Sequence, residues 1–422
     1  MTPARTVLHL APVVLPITAE PVYDGAVAVS GDRISAVGTR ADLVSAYPGA
    51  RVREWMGTLT PGLVNAHTHL QYTDFADLAT SGLAFPEWIR TLTERRRTWQ
   101  PRQWQASVRR GVHELLRTGT TSAADVVTDV AGLSALARSG LAGRAYLEIV
   151  GVESEHWSAA RDELTGKLDA VPAGMATGVS PHAIYSLGTT VARGVAALAR
   201  ERGLRLHPHL AETEHEHAYV TSGRGPIADF GRARSLTFEL IDNGTGISPV
   251  AHADALGWLG SDTHIAHGVH VDAADRALLR ERGTAVALCV RSNAVLGAGT
   301  PPVAAYLRED NALAVGTDSR ASVPTLDLLD DVAALHALAR AQGYDAPDLA
   351  RRLLTAATQG GADAIGCPDA GRLAAGTRAD LAVFDVPADV DPYDAIVEHG
   401  PGRCAATVLA GRIVHRRVAS PA

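Results

Sequence analysis

Four apolar runs, set far apart in the chain, each end in an imidazole or a carboxylate. They close on Asn65-Ala66-His67-Thr68-His69, His207-Pro208-His209-Leu210-Ala211-Glu212-Thr213, Ile265-Ala266-His267-Gly268 and Gly316-Thr317-Asp318-Ser319. A fold that gathers the four polar ends must lay the runs side by side and pointing the same way. A parallel sheet does this, and its side chains alternate between faces with period two.

The rest of the middle supports that arrangement. Helical periodicity is read at 103–118, 190–202, 272–282 and 326–341, and strand candidates at 145–150, 176–180, 284–289 and 313–316. Repeated strand–helix units imply a parallel sheet, and about eight of them close into a barrel of ~250 residues. The predicted class is therefore α/β, with a (β/α)8 barrel over 59–366. Residues 1–58 and 367–422 read instead as β-rich, with alternating segments such as Ala26–Val29 and Ala406–Val414 and a hairpin-type turn at Gly31-Asp32. Two β-rich ends around a different middle imply that the termini meet in one split domain. The stretch 214–249 is long enough to cover a pocket.

Composition excludes several classes. A net charge of −7 gives no general attraction to nucleic acid or to an anionic membrane surface. No apolar run reaches the ~20 residues of a membrane helix. Pro12 interrupts the apolar amino end, which reads as a first strand rather than a signal peptide. The three cysteines, Cys289, Cys367 and Cys404, are isolated, which argues against a disulfide framework or a cysteine zinc site and for a reducing cytoplasm. A basic patch, Arg95-Arg96-Arg97 with Arg102, lies near Trp99 and Trp104. It reads as a solvated helix face, with a role in holding an acidic substrate group left open.

The polar ends carry the chemistry. His67 and His69, two apart on a strand, share a face and can bind one ion. His207 and His209 share another, so spacing alone admits either, with His209 preferred because it is nearer the strand end. Glu212, three residues on, can reach back over the ion without binding it and shuttle protons. His267 projects from its strand end towards an ion-activated water, while His270 reads as structural. Asp318 ends a buried strand and can both bind the ion and take a proton. Three imidazoles and a carboxylate with one open position suit catalytic zinc, with Fe(II) as the alternative. No lysine lies between Ala142 and Gly166, which argues against a carboxylated lysine bridging two ions and for a single one.

With these residues in place, the chain resembles the amidohydrolase superfamily, in the branch of S-adenosylhomocysteine and methylthioadenosine deaminases, chlorohydrolases and 6-aminodeoxyfutalosine deaminases. The matched elements run from Pro61–His69 through Glu87-Trp88, Ser180-Pro181-His182, His209–Thr213, Ala266-His267-Gly268, Ser292-Asn293 and Gly316-Thr317-Asp318 to Ala379-Asp380-Leu381. The resemblance implies a barrel with a β-sandwich built from both termini, and often a homodimer. It implies metal ligation by His67, His69, His209 and Asp318, proton shuttling by Glu212, and acid/base or oxyanion support from His267. Glu87, Trp88, His182 and Asn293 would contact a small purine nucleoside.

One departure matters. Members acting on adenosylhomocysteine usually show His-Asn-Pro shortly before Ser-Asn, whereas this chain has Leu288-Cys289-Val290-Arg291-Ser292-Asn293. Arg291 is thereby expected near the pocket mouth, where it could pair with a carboxylate. This favours 6-aminodeoxyfutalosine, which carries a benzoate, and a place in menaquinone synthesis. The alternatives are adenosylhomocysteine/methylthioadenosine deaminase, guanine or other aminopurine deaminase, s-triazine hydrolase and, last, a non-catalytic scaffold.

Overall fold

The computed structural model describes residues 6–417. Eight parallel positions close into a barrel. The strands are Leu63–Thr68, Thr120–Val127, Ala142–Ile149, Thr177–Pro181, the split pair Arg205–Leu206 and His209–Leu210, then His264–His267, Ala285–Leu288 and Leu313–Val315. Neighbours pair in parallel throughout. Single bridges, Leu206 with Thr263 and Thr68 with Asp318, join the two halves into a ring. The fifth strand is split at His207-Pro208, because proline has no N–H to give to the ladder.

Alternate strand residues enter different cores, as the period of two requires. Val64, Ala66, Ala124, Tyr146, Ala285, Ala287 and Ala314 share one cluster built mainly of small side chains. Their neighbours Leu63, Leu147, Val286, Leu288 and Val315 join the large core beneath the helices. Small residues on one side let eight strands approach closely, and branched ones on the other give the helices a surface to cover.

The helices follow their periodicity. Pro101–Arg117 starts with proline in its first turn and a reciprocal cap between Gln100 and Gln103, and it buries Trp104, Val108, Val112 and Leu115. Each such side chain contributes about 1.5–3 kcal/mol by leaving water. Thr189–Glu201, Ala273–Arg282 and Leu328–Ala341 lie where the sequence placed helices, within a residue or two.

The two chain ends form one eight-stranded sheet. Thr58–Pro61, which straddles the expected junction, pairs antiparallel with Leu381–Phe384. Val22–Ser30 and Arg33–Thr39 form the expected hairpin, with Gly31 at a φ of 66° in its turn. Val27, Val29 and Leu59 pack with Leu381, Val383 and Val408 in a core of the sheet's own. The carboxyl segment is not all strand, since Pro392–His399 is a helix against Leu328–Ala341 and Leu349–Thr355. Among the described residues, no helix is long and apolar enough to cross a membrane.

Candidate active site

All four polar ends meet at the carboxyl end of the barrel strands. His67 and His69 end the first strand, His209 lies in the second half of the fifth, His267 ends the sixth and Asp318 follows the eighth. Three of these turns bend in the left-handed region: φ is 54° at Ala211, 78° at His267 and 62° at Asp318. Residues other than glycine adopt that conformation only when their surroundings hold it, and it clusters where side chains must be aimed.

The ring nitrogens converge. His69 Nε2 lies 3.2 Å from His209 Nε2. Asp318 Oδ1 lies 3.6 Å from His67 Nε2 and 3.7 Å from His69 Nε2. Ligands at ~2.0–2.2 Å around a four-coordinate ion stand ~3.2–3.6 Å apart, so these four atoms are spaced as a ligand set.

Hydrogen bonds orient the set. His209 Nδ1 donates to the His182 carbonyl at 2.9 Å, which leaves its Nε2 with a lone pair. His207 Nδ1 donates to the His264 carbonyl, so His207 Nε2 must accept the N–H of His67 Nδ1 at 2.8 Å. His67 Nε2 is then a bare lone pair, and it is buried without a hydrogen-bond partner. A cation fits that orphan. His207 is thus the residue that aims His67, not a ligand of the same ion. Burial first, then the neighbouring imidazoles, hold His67 well below the usual histidine range, and burial lowers His69 to about 3. Both rings are neutral at physiological pH, as metal ligation requires. Ser292 and Ser322 hydroxyls donate to Asp318 Oδ2 at 2.7 and 3.0 Å and leave Oδ1 facing the histidines.

Two further groups face the cluster. Asn293 Nδ2 donates to His267 Nδ1 at 3.1 Å, so the proton of His267 sits on Nε2, towards the cavity. Glu212 Oε1 lies 3.6 Å from that Nε2. Burial, then the charges of Asp318 and Glu216, push the Glu212 carboxyl well above its usual range. Glu216 fixes this turn by accepting the N–H groups of Ala211 and Glu212 at 3.1 and 2.8 Å. The one sequence signal for Glu216 is Thr213-Glu214-His215-Glu216, which spells a capping box, and Thr213 caps the helix Glu214–Ser222.

A cavity of ≈ 490 Å³ opens above the cluster, reaching His69, His182, His209, Glu212, His267 and Asp318. Its walls come from the helix Phe85–Arg96 and from 214–249, which folds into helices Glu214–Ser222 and Pro226–Ala233. Trp88 lines it, with its indole N–H on the Ala321 carbonyl. His182 lines it too; its Nδ1 donates to Ser186 Oγ at 2.9 Å, so Nε2 is an acceptor.

Three expected substrate contacts are corrected. Arg291 does not reach the cavity: its guanidinium bonds Asp331 at 2.7 Å, Asp330 at 3.0 Å and the Thr325 and Asp327 carbonyls, anchoring the start of Leu328–Ala341. The nearby acids capture it. Glu87 faces outwards, 55% exposed at its side chain, with Arg90 at 3.6 Å. Asn293 is buried, bonds His267 Nδ1 and does not line the cavity. The arginines that do line the cavity are Arg90, Arg96, Arg97 and Arg234, so part of the basic patch belongs to the pocket rather than to a solvated face. The fixed seam between strands one and eight rests on Asn65, whose amide donates to Thr317 Oγ1 at 2.8 Å while its oxygen accepts from Thr317 N.

The chain is similar to known proteins over most of its length. The profile described as Amidohydrolase family matches residues 58–414, and an imidazolonepropionase-like composite domain profile matches 25–50. The chain is 34% identical over 398 residues to a 5-methylthioadenosine/S-adenosylhomocysteine deaminase of Nitratidesulfovibrio vulgaris, covering 91% of this chain and 84% of the other. It is 31% identical over 353 residues to the aminodeoxyfutalosine deaminase of Deinococcus radiodurans, covering 81% of each. A zinc-bound adenosine deaminase of Xanthomonas campestris superimposes with a TM-score of 0.78 at 27% identity, over 98% of this chain and 93% of that one.

Proposed function

The chain belongs to the amidohydrolase family, and from that premise we propose that it hydrolytically deaminates an adenine nucleoside, with 6-aminodeoxyfutalosine its preferred substrate. One observation carries the reading. A buried carboxyl group, Glu212, stands 3.6 Å from a His267 that presents an N–H and beside a convergent ligand set, and its burial favours the protonated form.

His67, His69, His209 and Asp318 would hold one divalent ion, for which zinc suits three imidazoles and a carboxylate. Such an ion supplies Lewis acidity that makes water nucleophilic near neutral pH. Asp318 takes one proton from the attacking water as its oxygen bonds purine C6. Glu212 gives its proton to N1, and His267 Nε2–H donates to the new oxygen. The two water protons then divide: one restores Glu212, and the other leaves with the amine as ammonia when the C6–N bond breaks. The product is the hypoxanthine nucleoside.

Arg97 and Arg234 support a carboxylate at the far end of the substrate. Both line the cavity and, among the described residues, neither has a carboxylate within 4 Å. The Arg234 guanidinium carbon sits 3.6 Å from the Phe230 ring centroid, a cation–π contact that holds the side chain at the cavity wall. The second reading, adenosylhomocysteine or methylthioadenosine deamination, is favoured by the relative at 34% identity.

Deamination converts adenine to hypoxanthine, and ultraviolet absorbance follows it directly. Metal-loaded protein should show its highest kcat/KM with aminodeoxyfutalosine among a panel that includes adenosylhomocysteine, methylthioadenosine and adenosine. Preference for adenosylhomocysteine would promote the second reading, and silence across the panel would remove adenine nucleosides altogether.

A further inference from the structure

One charged group in the cavity has no part in the reaction above. Glu148 is the penultimate residue of the third barrel strand and is 5% exposed. Its Oε2 accepts the Thr128 hydroxyl at 2.7 Å, and Thr128 in turn accepts from Tyr72 at 2.9 Å. Its other oxygen takes no hydrogen bond from the described residues, and none of their cationic side chains comes within 4 Å. A buried carboxylate with a single neutral donor is costly unless something else supplies N–H or O–H groups.

The carboxylate is not remote from the chemistry. A carboxylate oxygen of Glu148 and ring nitrogens of His182 and His209 all lie within 4.8 Å of one another. Arg96, in the last turn of Phe85–Arg96, is partly buried and lines the same cavity together with Tyr72. Its neighbours on the helix are paired, Arg90 with Glu94 and Arg95 with Asp77, whereas among the described residues Arg96 has no carboxylate within 4 Å. An acceptor and a donor of opposite charge thus line the same cavity without closing on each other.

We propose that Glu148 and Arg96 form a subsite for a vicinal diol on the substrate. The charges decide the class. An anionic group would be repelled by Glu148, and a cationic one by Arg96. A hydroxyl pair satisfies both at once, donating O–H to the carboxylate and accepting N–H from the guanidinium. This rests on the nucleoside reading, under which the diol is that of the ribose.

The test compares adenosine with 2′-deoxy- and 3′-deoxyadenosine on metal-loaded wild-type, Glu148→Gln and Arg96→Met proteins, with metal content measured for each. Wild-type kcat/KM should fall ~10–100-fold on loss of either hydroxyl, chiefly through KM, as hydrogen bonds to charged groups imply. In either variant the ribo-to-deoxy ratio should shrink to a few-fold. A merely structural role would lower all three substrates alike, and that result, or a wild-type enzyme indifferent to the hydroxyls, overturns the subsite. If no nucleoside is turned over, the deaminase reading falls, and the subsite is judged by binding of the same nucleosides to Glu212→Gln protein. There, tighter binding of adenosine sustains it, and equal or absent binding overturns it.

Discussion

The floor and the wall of the cavity are built on different terms. The floor consists of strand ends: His67, His209, His267 and Asp318 are each held there by one or two buried hydrogen bonds, and His69 follows directly on the first strand. The wall consists of the helix Phe85–Arg96 and the helices of 214–249, whose arginines reach in from partly or fully exposed positions. A side chain fixed by a strand has one place to point, while one on a covering helix is placed by whatever it packs against. The difference separates chemistry from selectivity, and substitutions can break or sharpen it.

The largest effect belongs to the floor. His209→Ala should lose the ion and with it at least ~10³-fold in kcat for every substrate, seen by elemental analysis together with kinetics. Retained metal with near-normal rates would remove His209 from the ligand set. Next comes Glu212→Gln, which should keep its metal yet lose ~10²–10⁴-fold in kcat without altering the order of substrates. A shift in that order would place Glu212 in the wall.

Arg291→Met probes neither floor nor wall. Asp331 is fully buried against Arg291, and removing one partner of a buried pair costs about 3–5 kcal/mol. The melting temperature should therefore drop while KM for carboxylate-bearing substrates stays unchanged; a raised KM with unchanged melting would return Arg291 to the pocket. The smallest effect belongs to the rim. Arg97→Met with Arg234→Met should raise KM ~3–10-fold for aminodeoxyfutalosine and leave methylthioadenosine untouched, since exposed charges are screened by solvent. Equal changes for both would deny the rim any part in selectivity.

The same division explains what could be read from the sequence. Period-two alternation and the 3.6-residue repeat follow from backbone geometry, so the barrel, its helices and the four polar strand ends were legible without coordinates. Glu148 lies inside the strand candidate 145–150, two residues before its end, and no neighbouring motif marks it as a pocket residue. Arg291 was misplaced for another reason. Its surroundings are Asp330 and Asp331, about 40 residues away in the chain, and no local pattern shows that a distant helix start will capture a guanidinium. Asn293 was near the site, as expected, but which side of His267 it occupies depends on tertiary packing alone.

The seam between the first and last barrel strands has a consequence for the making of the protein. His67 and Asp318 stand on opposite sides of that seam, where Asp318 N donates to the His67 carbonyl at 3.0 Å and Asn65 grips Thr317. A ribosome must therefore deliver the chain as far as Asp318 before the proposed ion has a complete seat. Until then His67 and His69 offer only a loose pair of imidazoles. On the proposed ligand set the ion would act as the clasp of a ring, and tight capture of metal should report, during synthesis or refolding, the moment at which the barrel shuts.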